Sequence, residues 1–90
     1  MNEKLKKFRQ QIDAVDKKLV KILSERFKIT QKVGCYKAKN NLPAQDKKRE
    51  KEMFEARKLW AKKIKVDENL IEQVFKFITK TVCKKHKIIK

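Results

Sequence analysis

Apolar residues recur along the first third of the chain at alternating steps of three and four. They are Leu5, Phe8, Ile12, Val15, Leu19, Ile22, Ile29 and Val33. This spacing predicts one amphipathic helix with an apolar seam of the coiled-coil kind. No Gly occurs before Gly34 and no Pro before Pro43, so we extend the helix to about residue 39. At 1.5 Å per residue it measures roughly 50 Å, which is too long for a compact monomer of this size.

Two shorter helices follow in the sequence. Asn40, Asn41 and Pro43 end the first helix, because proline disfavours helical backbone in the residue before it. Asp46 is the predicted N-cap of a second helix over residues 47–62, and Asp67 is the predicted N-cap of a third. The apolar sets are Met53, Phe54, Ala56, Leu59 and Trp60 in the second helix, and Ile71, Val74, Phe75, Ile78, Val82 and Ile89 in the third. The sequence therefore predicts an all-α fold of three helices.

The length of 90 residues predicts a single domain over residues 1–90. A chain this short buries only about 60% of the surface that its unfolded form exposes, so we expect a partner chain to contribute to stability.

Cys35 and Cys83 lack the spacing of a zinc site or a disulfide framework, and we expect free thiols in a reducing compartment. The charged first residues do not resemble a signal peptide or a membrane span, so we expect the protein to lie in the cytoplasm.

The formal net charge of +16 suggests an acidic partner, and nucleic acid is one such class. Only four of the 27 basic residues are arginines, whose planar guanidinium suits carboxylate or phosphate. Arg26 occupies a seam position where the heptad spacing predicts an apolar residue. An internal acid, a register-setting polar contact or a bound anion would each explain a cation there.

Arg26 and Lys37 lie eleven residues apart, about 20° from perfect alignment on a helix, so both point from one face. Two cations directed at one volume indicate an anion site. Arg9 lies roughly 25 Å from Arg26 along the same helix and cannot join that site from its own chain. A second, antiparallel chain could bring it there.

The segments FRQQIDAVDKKLVKILSERFKITQKVGCYK and PAQDKKRE resemble the AroQ-type chorismate mutases, and the match runs without a gap from about Leu5 to His86. Its specificity lies in the combined spacing of Arg9, Asp16, Arg26, Gly34, Lys37, Pro43, Asp46, Arg49 and Glu50. The resemblance implies an intertwined homodimeric helical bundle in which two long first helices pair. Each active site then takes one arginine from the other subunit.

The resemblance also implies roles for the cations. The partner's Arg9 and this chain's Arg26 would clamp the two substrate carboxylates, since guanidinium groups bind carboxylates through two parallel hydrogen bonds. Lys37 would reach the ether oxygen, and Arg49 would complete the wall at the second helix. As catalytic residues we expect Lys37, Arg26 and His86. Arg57 matches no substrate-contacting position, and we expect it to be solvated or in a helix salt bridge.

Four further positions are implied to contact the substrate. Asp46 and Glu50 correspond to the segment that meets the ring hydroxyl, with Glu50 as its acceptor. Val82 stands where the family often has a small hydroxyl residue, and His86 stands where it usually has Gln. A histidine donates a ring N–H in either protonation state, and its charged form would stabilise an oxyanion more strongly, so we expect activity to rise as pH falls. Alternatively, His86 only caps an apolar stripe.

The implied reaction is the Claisen rearrangement of chorismate to prephenate in aromatic amino-acid biosynthesis, the shikimate pathway. It needs no metal, cofactor or nucleophile, and we expect none. The protein would hold the substrate in its compact reactive conformer and stabilise negative charge on the ether oxygen.

Two other functions stay open on the sequence. An isochorismate pyruvate lyase resembles the mutase in fold and cation clamp, whereas PAQDKKRE resembles the mutases. A basic helical nucleic-acid-binding protein would explain the net charge but not Arg26, and few aromatic residues are present for base stacking. A separate alternative applies to the charged site residues themselves, which could instead form surface ion pairs, the commoner fate of charged residues on helices. These residues are Arg9, Arg26, Lys37, Arg49 and Glu50. We expect a small dianion as ligand, and neither nucleic acid nor membrane as partner.

Overall fold

The computed structural model describes residues 2–89, with the side chains of residues 2–88. Three α-helices occupy this range: α1 (Asn2–Lys39), α2 (Lys47–Lys63) and α3 (Glu68–Ile89). No strand occurs among these residues. The predicted all-α fold with one very long helix is therefore confirmed. Within the same range, no helix is both long enough and apolar enough to cross a membrane.

The predicted N-caps of the two shorter helices are confirmed. The carboxylate of Asp46 accepts a hydrogen bond from the backbone N–H of Arg49 at 3.0 Å, three residues into the turn. The carboxylate of Asp67 accepts one from the N–H of Asn69 at 2.9 Å. Each bond pairs a backbone donor that has no partner within the helix, which is why these helices begin where they do.

The first two helices end in the same local motif. Asn41 and Lys65 have left-handed backbone, with φ of 55° and 59°. The residue that follows each of them bonds back to the helix. The N–H of Leu42 donates to the carbonyl of Lys37, and the N–H of Val66 donates to the carbonyl of Ala61, each at 2.9 Å. These six-residue bonds define Schellman caps, which pair the last carbonyls of a helix and turn the chain sharply.

The chain divides into two compact units, one ending at Gln31 and the other beginning at Lys32. The first unit is helical throughout its described residues. Its seam side chains are all exposed, namely Leu5, Phe8, Ile12, Val15, Leu19, Ile22 and Ile29. A continuous apolar stripe of this length in water is unfavourable and typical of an interaction surface. The single domain over residues 1–90 stays a prediction.

In the second unit, α2 packs against α3. The buried side chains there are small or medium-sized, and include Ala44, Ala61 and Ile78. The guanidinium of Arg57 lies over the ring of Phe75, with 4.2 Å between its central carbon and the ring centroid. Arg57 is half-buried and its charge faces an aromatic ring of the next helix, so the expectation of a solvated side chain was wrong. The alternative of a helix salt bridge stays a prediction.

The predicted apolar stripe of α3 is confirmed in part. Ile78 is buried and Phe75 and Val82 are half-buried, whereas Val74 is exposed. In α2, Leu59 and Trp60 are also exposed. The side chain of Ile89, the last position of the stripe, lies outside the described residues. Apolar side chains therefore remain uncovered on both shorter helices.

Candidate active site

Lys37 is fixed by the end of its own helix. The Schellman cap turns the chain so that the carbonyl of Ala44 comes back towards the last turn of α1. The ammonium group of Lys37 donates a hydrogen bond to this carbonyl at 3.0 Å. The side chain is half-buried and the carbonyl belongs to a buried residue. The cation is therefore held in place before any ligand binds, and its remaining donors are available for an anion.

Glu50 lies in the first turn of α2, and both of its carboxylate oxygens accept hydrogen bonds. Gln45, just before the helix, donates its side-chain N–H to Oε2 at 3.3 Å. Cys83, on α3, donates its thiol to Oε1 at 3.6 Å. The carboxylate is thus fixed between the loop and α3. We call Lys37, Gln45, Glu50 and Cys83 the Glu50 cluster.

The thiol in this cluster stays protonated near neutral pH. Burial raises the pKa of Cys83 above its usual value, and the negative charge and hydrogen bond of Glu50 raise it further. The positive charges of Lys37 and Lys87 act in the opposite direction, but they are the smaller influences. Lys37, Glu50 and Cys83 therefore share one electrostatic environment, in which a cation, an anion and a neutral donor lie near one another.

Val82 and His86 occupy successive turns of α3 beside Cys83. Val82 is half-buried, and His86 is only 4% exposed. The imidazole is thus enclosed by the protein, in agreement with the predicted position of His86 on the apolar stripe of its helix. Its role as a donor to the ether oxygen stays a prediction.

Asp46 and Arg49 lie at the start of α2, and both are exposed. One oxygen of Asp46 accepts the capping hydrogen bond, so this carboxylate already has a structural role. Glu50 follows in the same turn. Asp46, Arg49 and Glu50 thus lie together at the start of α2. Their contacts with a ligand stay a prediction.

In the first unit, Arg9 is exposed and Arg26 is half-buried. Arg26 is less exposed than Ile22 and Ile29, its apolar neighbours in the seam. Seventeen residues of helix separate the two arginines, which is about 25 Å. Arg9 and Arg26 of one chain therefore cannot bind the same small anion.

Sequence reasoning missed two members of the Glu50 cluster. Gln45 directly precedes the predicted N-cap, five residues before Glu50, and such flanking residues often contact the first turn of a helix. Cys83 lies three residues before His86, so helical spacing puts these two side chains on the same side of α3. The sequence thus contained a signal for each position, but not for the contact with Glu50.

A lysine and a carboxylate that are fixed in one electrostatic environment, near the ends of two helices, have the features of a site for a small polar anion. The model of the family described as chorismate mutase type II matches residues 8–87. The chain belongs to this family, and the resemblance found in the sequence is confirmed.

Three relatives illustrate the range of proteins that are similar to the chain. A chorismate mutase of Methanocaldococcus jannaschii is 32% identical over 78 residues, which are 87% of this chain and 79% of that protein. A bifunctional chorismate mutase/prephenate dehydratase of Aquifex aeolicus is 42% identical over 53 residues, 59% of this chain and 15% of the relative. A protein of the same name from Buchnera aphidicola is 34% identical over 90 residues, 99% of this chain and 23% of the relative. The chain thus spans less than a quarter of these bifunctional relatives.

Proposed function

We propose that this chain catalyses the Claisen rearrangement of chorismate to prephenate. The observation that carries the proposal is the fixed Lys37 ammonium, which shares its electrostatic environment with the fixed Glu50 carboxylate. A cation that is already oriented stabilises developing negative charge without reorganising during the reaction. Family membership supports the same reaction, as does the archaeal mutase, of which the chain covers 79%.

In the proposed mechanism, Arg26 and the partner's Arg9 bind the two carboxylates of the substrate. This clamp restricts an extended, flexible molecule to the compact conformer in which the reacting carbons meet, and so lowers the entropic part of the barrier. Lys37 then donates to the ether oxygen as its bond to carbon breaks and negative charge grows there. Glu50 accepts a hydrogen bond from the ring hydroxyl and fixes the orientation of the ring.

The remaining site residues form the walls in this proposal. Asp46 and Arg49 border the ring hydroxyl, and Val82 contributes an apolar surface that keeps water away from the reacting atoms. His86 donates a ring N–H towards the ether oxygen, opposite Lys37. Because a charged imidazole stabilises an oxyanion more strongly than a neutral one, activity is expected to rise at lower pH. A flat pH profile together with a fully active His86→Ala variant would remove His86 from the mechanism.

The active unit that we propose is a cytoplasmic homodimer. The exposed seam of α1 supports it, because seven apolar side chains on one helix face remain uncovered in the first unit. The distance between Arg9 and Arg26 supports it as well, since a two-carboxylate clamp needs an arginine from a second chain. An antiparallel pair of α1 helices would meet both requirements in one arrangement.

The proposal is tested by following the loss of chorismate absorbance and identifying the product. We expect prephenate from the unaltered chain, strongly reduced activity from Arg26→Ala, and near-normal activity from Lys28→Ala, a matched change at an exposed position of the same helix. Salicylate formed from isochorismate would instead identify a pyruvate lyase. If neither compound is consumed and the chain binds duplex DNA with strong salt dependence, the mutase proposal is wrong.

A further inference from the structure

The carboxylate of Glu50 is held by two donors of different character. The contact with Gln45 is local, joining residues five apart at an exposed position. The contact with Cys83 joins residues 33 apart and is partly buried. Rotation of the Glu50 side chain away from α3 therefore breaks the thiol contact. The thiol is the donor that ties the carboxylate to α3, the helix of Val82 and His86.

We propose that Cys83 is a positioning residue, which holds Glu50 in the orientation that accepts the ring hydroxyl of the substrate. This role rests on the proposed function. A neutral donor suits it chemically, because a lysine or arginine at this position would pair with Glu50 and compete with the hydroxyl. A thiol is a weak donor, and each carboxylate oxygen has a second lone pair. Glu50 is thus oriented while it keeps its capacity to accept a further hydrogen bond.

The protonation state of the thiol agrees with this role. Burial and the nearby carboxylate raise the pKa of Cys83, so the thiol carries its proton near neutral pH. It is therefore available as a hydrogen-bond donor to the carboxylate of Glu50.

The contact itself is tested without any substrate. In a Cys35→Ser background Cys83 is the only thiol, and the rate of its alkylation by iodoacetamide as a function of pH reports its pKa. Glu50→Gln removes the negative charge, so we expect the alkylation profile to move to lower pH and the rate at pH 8 to rise several-fold. Glu52→Gln, an exposed position of the same helix, should leave the profile unchanged. An identical profile for Glu50→Gln and the background would overturn the proposal.

The positioning role is tested by kinetics with chorismate. Cys83→Val keeps the approximate shape without a donor, and we expect kcat/KM to fall about 3- to 10-fold, mainly through KM. Cys83→Ser keeps a donor and should restore kcat/KM and KM in large part, which a side chain that only fills space would not do.

The outcomes separate the two proposals. Equal losses of kcat/KM in Cys83→Val and Cys83→Ser would show that Cys83 only fills space, and would overturn its positioning role. Failure of the unaltered chain to consume chorismate would refute the mutase and with it the role of Cys83 towards that substrate. The alkylation result would still decide whether the thiol and the carboxylate are coupled.

Discussion

Replacing Leu19 by Ala in the seam of α1 should weaken the proposed dimer by an amount that the structure allows us to calculate. Leu19 is 52% exposed in the described chain. Full burial of a leucine side chain contributes about 1.5–3 kcal/mol, so covering this exposed half contributes roughly 1 kcal/mol per chain. A symmetric dimer loses the contribution twice, roughly 2 kcal/mol, which corresponds to a dissociation constant about 30-fold higher.

Sedimentation equilibrium of the unaltered chain and of Leu19→Ala measures this constant directly. Alanine has the highest helix propensity, so the substitution does not weaken α1 itself. Lys18→Ala is the matched control, because Lys18 is an exposed neighbour outside the seam and its replacement should change the constant little. The midpoint of thermal unfolding should also depend on protein concentration, since association stabilises the folded state by mass action.

Two results would refute this reasoning. An unaltered chain that sediments as a monomer at all micromolar concentrations, with a melting temperature independent of concentration, would show that the exposed seam does not drive self-association. A dimer that is weakened equally by Leu19→Ala and Lys18→Ala would show that chains associate through another surface. In either case the clamp with the partner's Arg9 would lose its structural basis.

Further substitutions test individual contacts. Lys37→Met removes the ammonium while nearly keeping the length of the side chain. We expect kcat to fall about 100-fold or more while the helical circular dichroism stays unchanged. A kcat within a few-fold of that of the unaltered chain would exclude Lys37 from charge stabilisation. Asp46→Ala removes the N-cap of α2 and should lower the free energy of unfolding by about 1 kcal/mol in urea titrations, whereas Asp46→Asn should retain most of it. Arg57→Met removes the charge over Phe75 and should cost roughly 0.5–1 kcal/mol in the same assay, and Arg57→Lys should cost less. No loss in Arg57→Met would mean that the ring contact is energetically neutral.

The helices could be predicted from the sequence because their determinants are local. The seam spacing defines α1 over many turns, and a side chain such as that of Asp46 or Asp67 caps a helix through residues only two or three positions away. The left-handed Asn41 also fits its residue type, since asparagine tolerates positive φ better than most residues. Lys65 adopts the same backbone without that preference, so the end of α2 had no comparable signal.

The site could be predicted only as far as the family resemblance extends. The contact between Glu50 and Cys83 depends on how α2 packs against α3, and a thiol that donates to a carboxylate has no characteristic spacing in the sequence. Arg57 and Phe75 meet for the same reason, across 18 positions of the chain. In both pairs, the packing of α2 against α3 determines which residue the polar side chain contacts. Helical periodicity alone predicts neither of these two contacts between α2 and α3.

The position of Arg9 beside the seam links the stability of the proposed dimer to its proposed activity. Arg9 directly follows Phe8 and lies three residues before Ile12, and both apolar side chains are exposed in the described chain. A second chain that covers Phe8 and Ile12 must therefore also bring Arg9 into the interface. Burial of the seam and completion of the carboxylate clamp then become one event, governed by one dissociation constant. Since substrate would bind only the completed site, it would also stabilise the dimer, and the two effects would reinforce each other.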